Sequence, residues 1–145
     1  MINTHLIITL LVSLGLGALL GLERELKKCP AGLRTHTLVC LGSTVFTLSS
    51  FAFAGPSVDI SRIAGQVVVG IGFIGGGVIF KEKNKVIGLT TASTLWIAAG
   101  IGILAGIQEF LLGLIVAVIA ITILSGGYWL EKNFIHKHNP RCLKP

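Results

Sequence analysis

Ionisable and hydroxyl side chains lie at the ends of long apolar stretches in this chain. Glu23 follows directly on apolar residues, where an unpaired carboxylate is costly, so Arg24 or Arg34 is its expected partner. His36 is the histidine best placed to titrate near neutral pH within a helical bundle. Two interpretations stay open: a structural cluster of ion pairs and helix caps, or a functional polar site at the cytoplasmic side. The candidate residues of this cluster are Glu23, Arg24, Arg34, Thr35, His36, Thr90 and Thr91.

A second, smaller polar group precedes the third apolar stretch. Asp59 or Ser57 is placed to cap a helix, and Asp59 is placed to pair with Arg62, three residues further on. Gln66 lies one turn further in, where a buried amide needs hydrogen-bond partners. Thr35 and Thr90 are predicted N-caps of two other helices. The sequence has no metal-ligand spacing and no motif of a hydrolase, so we predict no enzymatic activity, no metal and no cofactor.

Composition indicates which elements position these groups. Apolar residues make up 52% of the 145 residues and charged residues only 12%, against about 25% charged in soluble domains. The charges separate five uncharged stretches, and each is long enough for a bilayer-spanning helix of about 20 residues. We therefore predict an all-α, multi-pass membrane protein, a bundle of five transmembrane helices. The predicted helices are at about 4–22, 36–54, 63–80, 89–107 and 110–130, followed by a short basic tail at 131–145.

Lys and Arg are distributed unevenly between the two sides of this predicted bundle. Of the twelve, all but Arg62 fall in the segments after the first, third and fifth helices. The positive-inside rule then predicts that the N-terminus lies outside and the C-terminus in the cytoplasm. The net charge of +6 needs no nucleic-acid partner. The expected partner is the lipid bilayer, including its anionic headgroups.

Glycine spacing predicts close helix packing. Small residues four apart, such as Gly17 and Gly21 or Gly102 and Gly106, form grooves that admit another helix. The third helix is densest in glycine and is predicted to be a tightly packed central helix, in which Gly72→Leu would block close approach. A helix broken near residues 75–77 is the alternative. The predicted packing positions are Gly17, Gly21, Gly70, Gly72, Gly75, Gly76, Gly77 and Trp96.

Four stretches of the chain resemble the MgtC/SapB family of bacterial inner-membrane proteins. They cover most of residues 15–106 in the same order, and the resemblance implies a five-helix bundle. The stretches are Gly-Ala-Leu-Leu-Gly-Leu-Glu-Arg-Glu (17–25), Ala-Gly-Leu-Arg-Thr-His-Thr-Leu-Val-Cys-Leu-Gly (31–42), Asp-Ile-Ser-Arg-Ile-Ala-Gly-Gln-Val-Val-Val-Gly-Ile-Gly-Phe-Ile-Gly-Gly-Gly (59–77) and Gly-Leu-Thr-Thr-Ala-Ser-Thr-Leu-Trp (88–96). The implied signature positions are Glu23, Arg24, Arg34, Thr35, His36, Asp59, Arg62, Gln66, Thr90, Thr91 and Trp96.

The resemblance also implies a biological role. It links the chain to adaptation to low magnesium, intracellular survival and virulence, and suggests the F-type ATP synthase as a possible membrane partner. Longer relatives carry a soluble domain after the last helix, so this chain is expected to be a short form. We expect a non-enzymatic protein that self-associates in the bacterial inner membrane and regulates membrane partners or the membrane potential.

A small transporter or channel is the alternative function, with the cytoplasmic-side cluster as its site. The candidate permeants are magnesium, a proton or an anion. No acidic residue lies deep inside a predicted span, which argues against magnesium because this ion prefers oxygen ligands such as carboxylates. The Arg and His residues of the cluster suit an anion better.

Overall fold

The computed structural model describes residues 4–53, 55, 59–82 and 85–130 as a bundle of helices. The predicted tail at 131–145 and Ser57, the alternative cap of the third helix, lie outside the described residues. The elements in chain order are α1 (Thr4–Leu26), α2 (Leu33–Ala52), α3 (Ser61–Gly77), β1 (Phe80–Glu82), β2 (Lys85–Ile87), α4 (Leu89–Gly106) and α5 (Phe110–Leu130). Within the described residues, the all-α prediction holds apart from one two-stranded hairpin.

The hairpin corrects the predicted end of the third helix. The helix ends at Gly77 and not near residue 80, and β1 pairs antiparallel with β2, with Lys81 opposite Val86. The chain then returns to α4 through Gly88, whose φ is +93°. A Cβ at this position would collide with the carbonyl oxygen of Val78. Only glycine combines this positive φ with so close an approach.

Two of the predicted helix caps are wrong. α2 begins at Leu33, with Gly32 in the N-cap position, so Thr35 is already inside the helix. α4 begins at Leu89 after Gly88, which places Thr90 inside its first turn. Neither N-cap residue has a side chain that could accept a hydrogen bond. Each helix therefore begins before its first hydroxyl-bearing residue, because a glycine occupies the N-cap position.

Three helices are long and apolar enough to cross a membrane: α1, α4, and α5 over Phe110–Gly127. The protein is therefore a membrane protein by the composition of its helices. α2 has 20 residues but carries many hydroxyl groups, and α3 has 17 residues, at the lower end of the usual range for a span. The finer prediction of five spans stays a prediction.

Glycines bring α1, α2 and α4 into close contact. A Cβ at Gly17 would lie 2.7 Å from Cys40 Cβ, and one at Gly21 would lie 2.8 Å from Leu33 Cα. A Cβ at Gly102 of α4 would meet the Cys40 carbonyl oxygen. These three helices form the most closely packed part of the bundle, and α5 covers α1 and α4. A larger side chain at these glycines would force the backbones apart.

The prediction that the third helix is a tightly packed central helix is wrong for the single chain. Among the described elements, α3 packs mainly along α4 and α2. Its nearest glycine contact is at Gly75, where a Cβ would lie an ordinary 3.6 Å from Ala92 Cβ. The helix is unbroken up to Gly77, so residues 75–77 form its last turn. The remaining predicted packing glycines of α3 face open space within the chain: Gly70, Gly72, Gly76 and Gly77.

Candidate functional site

The polar cluster predicted at the ends of α1, α2 and α4 is built on the close approach of α1 to α2. Gly21 lets the first turn of α2 lie against the last turns of α1. The Glu25 carboxylate then accepts a hydrogen bond of 3.0 Å from the Leu33 amide. This bond satisfies one of the free amides at the start of α2, and a carboxylate is favoured there by the helix dipole.

Glu23 forms ion pairs with two basic side chains at this end of α1. Its carboxylate lies 2.9 Å from Arg24 Nε and also pairs with Lys27. The Arg24 side chain is buried, with 5% of the residue exposed. Lys27 reaches further and donates a 3.1 Å hydrogen bond to the Leu124 carbonyl of α5. Of the two predicted partners of Glu23, the structure uses Arg24, which the same helix presents beside it.

His36 is fully buried between α2 and α4. Its Nε2 lies 2.9 Å from Thr94 Oγ1, and its Nδ1 lies 2.9 Å from the Gly32 carbonyl oxygen. A carbonyl only accepts, so in a neutral ring the proton belongs on Nδ1 and the Thr94 hydroxyl donates to Nε2. The same hydroxyl is 2.8 Å from the Thr91 carbonyl. If His36 gains a proton, this hydroxyl can turn to that carbonyl and accept from Nε2.

Further hydroxyl groups continue from His36 along the inner face of α2. Ser13 Oγ of α1 lies 2.6 Å from Thr44 Oγ1 and 3.4 Å from Cys40 Sγ. Thr44 Oγ1 donates to the Gly102 carbonyl of α4 at 2.8 Å. These bonds join three helices in the middle of the bundle. The buried polar residues of this surface, here called the polar seam, are Ser13, His36, Cys40, Ser43, Thr44, Thr47, Ser50, Thr91 and Thr94.

Sequence reasoning missed most of the polar seam, although a signal was present. Apart from the neighbours Ser43 and Thr44, the buried α2 residues of the seam follow one another at helical spacings of three and four positions, which place them on one face. The hydroxyls of Ser13 and Thr94 complete the seam from α1 and α4. Their pairing depends on how the helices are oriented about their axes, which the one-dimensional pattern does not contain.

The residues of the predicted cytoplasmic-side cluster lie in different parts of the structure. Glu23, Arg24 and His36 come together, and Thr91 joins them through its carbonyl. Arg34 and Thr35 line a groove between α2 and α3, and Thr90 is exposed. The His36 and Arg34 side chains therefore lie in different surroundings, and their common role in one functional site stays a prediction.

The second predicted cluster is a surface group. The Ser61 hydroxyl donates to Asp59 Oδ1 at 2.7 Å and the Ser61 amide at 2.9 Å, which lowers the pKa of Asp59 below its ordinary value. Among the described residues, Asp59 and Arg62 do not form an ion pair. Gln66 is exposed and not buried, because it faces the α2–α3 groove. No three His, Cys, Asp or Glu side chains in the described ranges form a candidate metal site.

Comparison with known proteins decides the family. The profile of the MgtC family matches residues 10–133, which is most of the chain. The chain belongs to the MgtC family. Protein MgtC of Salmonella typhimurium is 51% identical over 104 residues, covering 72% of this chain and 44% of the relative. Protein MgtC of Brucella abortus is 50% identical over 91 residues, covering 63% of this chain and 38% of the relative.

MgtC-family membership confirms the resemblance found in the sequence. The chain spans less than half the length of these curated relatives, and their names specify no reaction. No solved structure matches the chain. The Glu23–Arg24 pair and the His36 bridge of this MgtC-family chain both fall within the matched residues.

Proposed function

We propose that this chain is a non-enzymatic, multi-pass protein of the bacterial inner membrane that acts by docking other membrane proteins. Its five helices all cross the bilayer, with the N-terminus outside and the C-terminus in the cytoplasm. In line with the family resemblance, its role is in adaptation to low magnesium and in intracellular survival and virulence. Its partners are a second copy of the chain and, by the same resemblance, the F-type ATP synthase.

One observation carries this proposal: a glycine-lined face of α3 that none of the described residues covers. We call it the open α3 face, and it consists of Gly65, Val69, Gly72, Phe73 and Gly76, all exposed. Phe73 is 87% exposed. In contrast, the space beside Gly17 and Gly102 is occupied by residues of a neighbouring helix. Small residues in a membrane helix serve close helix contact, so the open α3 face is suited to a helix from outside the chain.

A hollow beside the open α3 face adds to its fit for a partner. The hollow measures about 460 Å³ and lies between α3 and α4, with Gly72, Gly76 and Trp96 among its lining residues. Trp96 is half-exposed, and Trp is a residue that often dominates binding at protein interfaces. Such a partner would cover the exposed half of Trp96, which the sequence predicts to be a packing residue.

Photo-crosslinking in intact membranes tests the docking proposal. A photoreactive phenylalanine analogue replaces Phe73, and the matched control carries it at Leu111, an exposed position of α5. We expect adducts with a second copy of the chain, or with the ATP synthase, from position 73 and not from position 111. Adducts with lipid alone at both positions would contradict the proposal.

A growth assay connects the open α3 face to function. Gly72→Leu is expected to abolish the position-73 adducts and to impair growth in low magnesium. Gly15→Leu is the matched control, since a Cβ at Gly15 also meets no atom within 4 Å but lies on α1. Equal growth of the two variants, both at wild-type protein level, would show that the open α3 face does not carry the function.

Proton transfer is a second candidate function, favoured by the polar seam. Hydroxyl and imidazole groups can both accept and donate protons, and the seam runs from His36 past Thr44 to Ser50 along α2. Purified protein in liposomes loaded with a pH dye tests this candidate. Proton flux above that of empty vesicles, lost in Thr44→Val but kept in Thr122→Val, would support it. No flux from folded protein would reject it.

A further inference from the structure

A large groove separates α2 from α3, and Ser43 and Ser50 of the polar seam lie among its lining residues. Its volume is about 1080 Å³, and its walls are mostly apolar. On α3 these lining residues lie on a different side from the open α3 face. The apolar wall residues that carry the argument are Leu38, Val39 and Phe46 of α2 and Val67, Ile71 and Ile74 of α3.

The two ends of this groove differ in charge. Arg34 lines the end at the start of α2, whereas Asp59 and Arg62 together line the end at the start of α3. No ion pair to Arg34 forms among the described residues, although Arg24 and Lys27 are both paired with Glu23. One end of the groove therefore carries a guanidinium with no carboxylate among its lining residues, whereas the other end carries one carboxylate and one guanidinium.

The nearby carboxylate of Glu25 does not neutralise the Arg34 guanidinium within the groove. Glu25 accepts the hydrogen bond of the Leu33 amide and is not one of the groove-lining residues. The Thr35 hydroxyl lies beside Arg34 in the lining and has no hydrogen bond among the described residues. A cation, a free hydroxyl and an apolar wall thus meet at one end of the groove.

We propose that the groove binds an anionic phospholipid, with its phosphate on Arg34 and an acyl chain along the walls of α2 and α3. A guanidinium matches the geometry of a phosphate and can bind it through two hydrogen bonds. α2, with 20 residues, is about 30 Å long, roughly the thickness of the hydrocarbon core. One lipid from the leaflet at Arg34 therefore reaches about half the groove. The inference rests on the proposed topology, in which Arg34 lies at the cytoplasmic leaflet, where anionic lipids collect.

Lipid titration of the purified full chain in a neutral detergent, read by native mass spectrometry, tests this site. The probes are phosphatidylglycerol and phosphatidylcholine with the same acyl chains. We expect phosphatidylglycerol to bind about tenfold more tightly than phosphatidylcholine, as a charge-assisted contact would give. Equal binding of the two lipids by the wild-type protein would overturn the proposal without the need for a variant.

Matched variants locate the bound headgroup and the acyl chain. Arg34→Gln is expected to remove the preference for phosphatidylglycerol, Arg34→Lys to keep part of it, and Arg62→Gln to leave it unchanged. Gly70→Leu fills the groove, because a Cβ there meets no atom within 4 Å, and should weaken binding of both lipids. Gly72→Leu, on the open α3 face, should leave lipid binding as in the wild type.

The opposite outcomes overturn the lipid site. An equal loss of preference in Arg62→Gln and Arg34→Gln would mean that the lipid headgroup responds to the total positive charge of the protein and is not bound at Arg34. Displacement of phosphatidylglycerol by millimolar inorganic phosphate would identify a free-phosphate site and not a lipid site. Since the photo-crosslinking at Phe73 does not depend on this groove, failure of the lipid site and failure of the docking proposal remain distinguishable.

Discussion

The α1–α2–α4 core and the α3 helix use glycine in opposite ways. In the core, Gly17 and Gly102 are places where another backbone already lies, and the surrounding hydroxyls are hydrogen-bonded to one another. In α3, Gly70 and Gly72 face open space on its two sides. The same residue type therefore marks contacts completed within the chain in one region and, by our proposal, contacts left for partners and lipid in the other.

This difference has a physical basis in what each region buries. The core must pair the polar groups that it removes from water and lipid, and the pairing fixes helix positions closely. α3 contributes only Ile71 and Gly75 to the buried residues. Because few contacts hold α3, it can tolerate substitution where the core cannot. A core that sets the fold thus supports a helix whose surfaces are free for binding.

The largest expected effect comes from placing leucine at a core glycine. In Gly102→Leu the new side chain meets the Cys40 carbonyl and the Ser43 side chain, so the backbones of α2 and α4 must separate. The cost exceeds the roughly 1–3 kcal/mol that is usual for overpacking. We expect little folded protein in membranes, measured by yield after size-exclusion chromatography in detergent.

Gly72→Leu is the matched control for this comparison. Its side chain enters open space, so we expect a wild-type yield and a thermal midpoint close to that of the wild-type protein. This outcome replaces the sequence-based expectation that Gly72→Leu would block packing of a central helix. A loss of folded protein in Gly72→Leu as large as in Gly102→Leu would mean that the two regions do not differ.

The second effect in size is expected from breaking the ion-pair cluster. Glu23→Gln leaves the buried Arg24 and the partly buried Lys27 without their carboxylate. An uncompensated buried charge such as that of Arg24 costs roughly 3–5 kcal/mol, whereas loss of the contact to the partly exposed Lys27 adds little. The measurement is the free energy of unfolding in mixed micelles.

Glu25→Gln tests whether burial is the cause of that loss. Glu25 is exposed and its contact is the Leu33 amide, to which a glutamine oxygen can also accept a hydrogen bond. We expect a change below about 0.5 kcal/mol, as is usual for surface positions. Similar losses in Glu23→Gln and Glu25→Gln would indicate that net charge, and not the buried pair, stabilises this end of α1.

Much of the fold was predictable because apolar length and charge placement act along the chain. The five helices lie where uncharged stretches occur, and the pairing of Glu23 follows from its position beside Arg24. The start of α2 was not predictable in the same way. It depends on Gly32 and on the contact of Gly21 with Leu33, which join residues that are distant along the chain.

The candidate site was predicted only in part, because residue type does not show helix orientation. Arg34 and His36 are two positions apart, which places them on different sides of a helix. His36 accordingly enters the core, whereas Arg34 lines the groove. The glycines of α3 show the same limit, since their spacing indicates that the helix can be approached closely but does not identify the helix that approaches it.

A smaller effect is expected from removing one hydroxyl of the polar seam. Thr44→Val keeps the shape of the side chain but removes the group that contacts Ser13 and the Gly102 carbonyl. Such bonds between membrane helices contribute about 0.6 kcal/mol on average, with a maximum of about 1.7 kcal/mol. Since Thr44 joins three helices, we expect a loss of about 1 kcal/mol in the free energy of unfolding. Thr122→Val, whose hydroxyl bonds only within α5, should change it by less.

The smallest effect concerns the surface end of α3 and depends on pH. Hydrogen bonds from the Ser61 hydroxyl and amide stabilise the charged form of Asp59 and lower its pKa. Its contribution is therefore present above the pKa of the unfolded chain, near about 4, and is lost as the pH falls through the lower folded pKa. Wild-type protein should lose a small part of its stability below about pH 4 that Asp59→Asn, already without the charge, does not lose. Thermal midpoints of both proteins between pH 3 and pH 6 measure this. If the thermal midpoints of the two proteins change in parallel with pH, the Asp59 contacts do not stabilise α3. The stability of α3 would then come from its packing on α4 and from the partners that we propose.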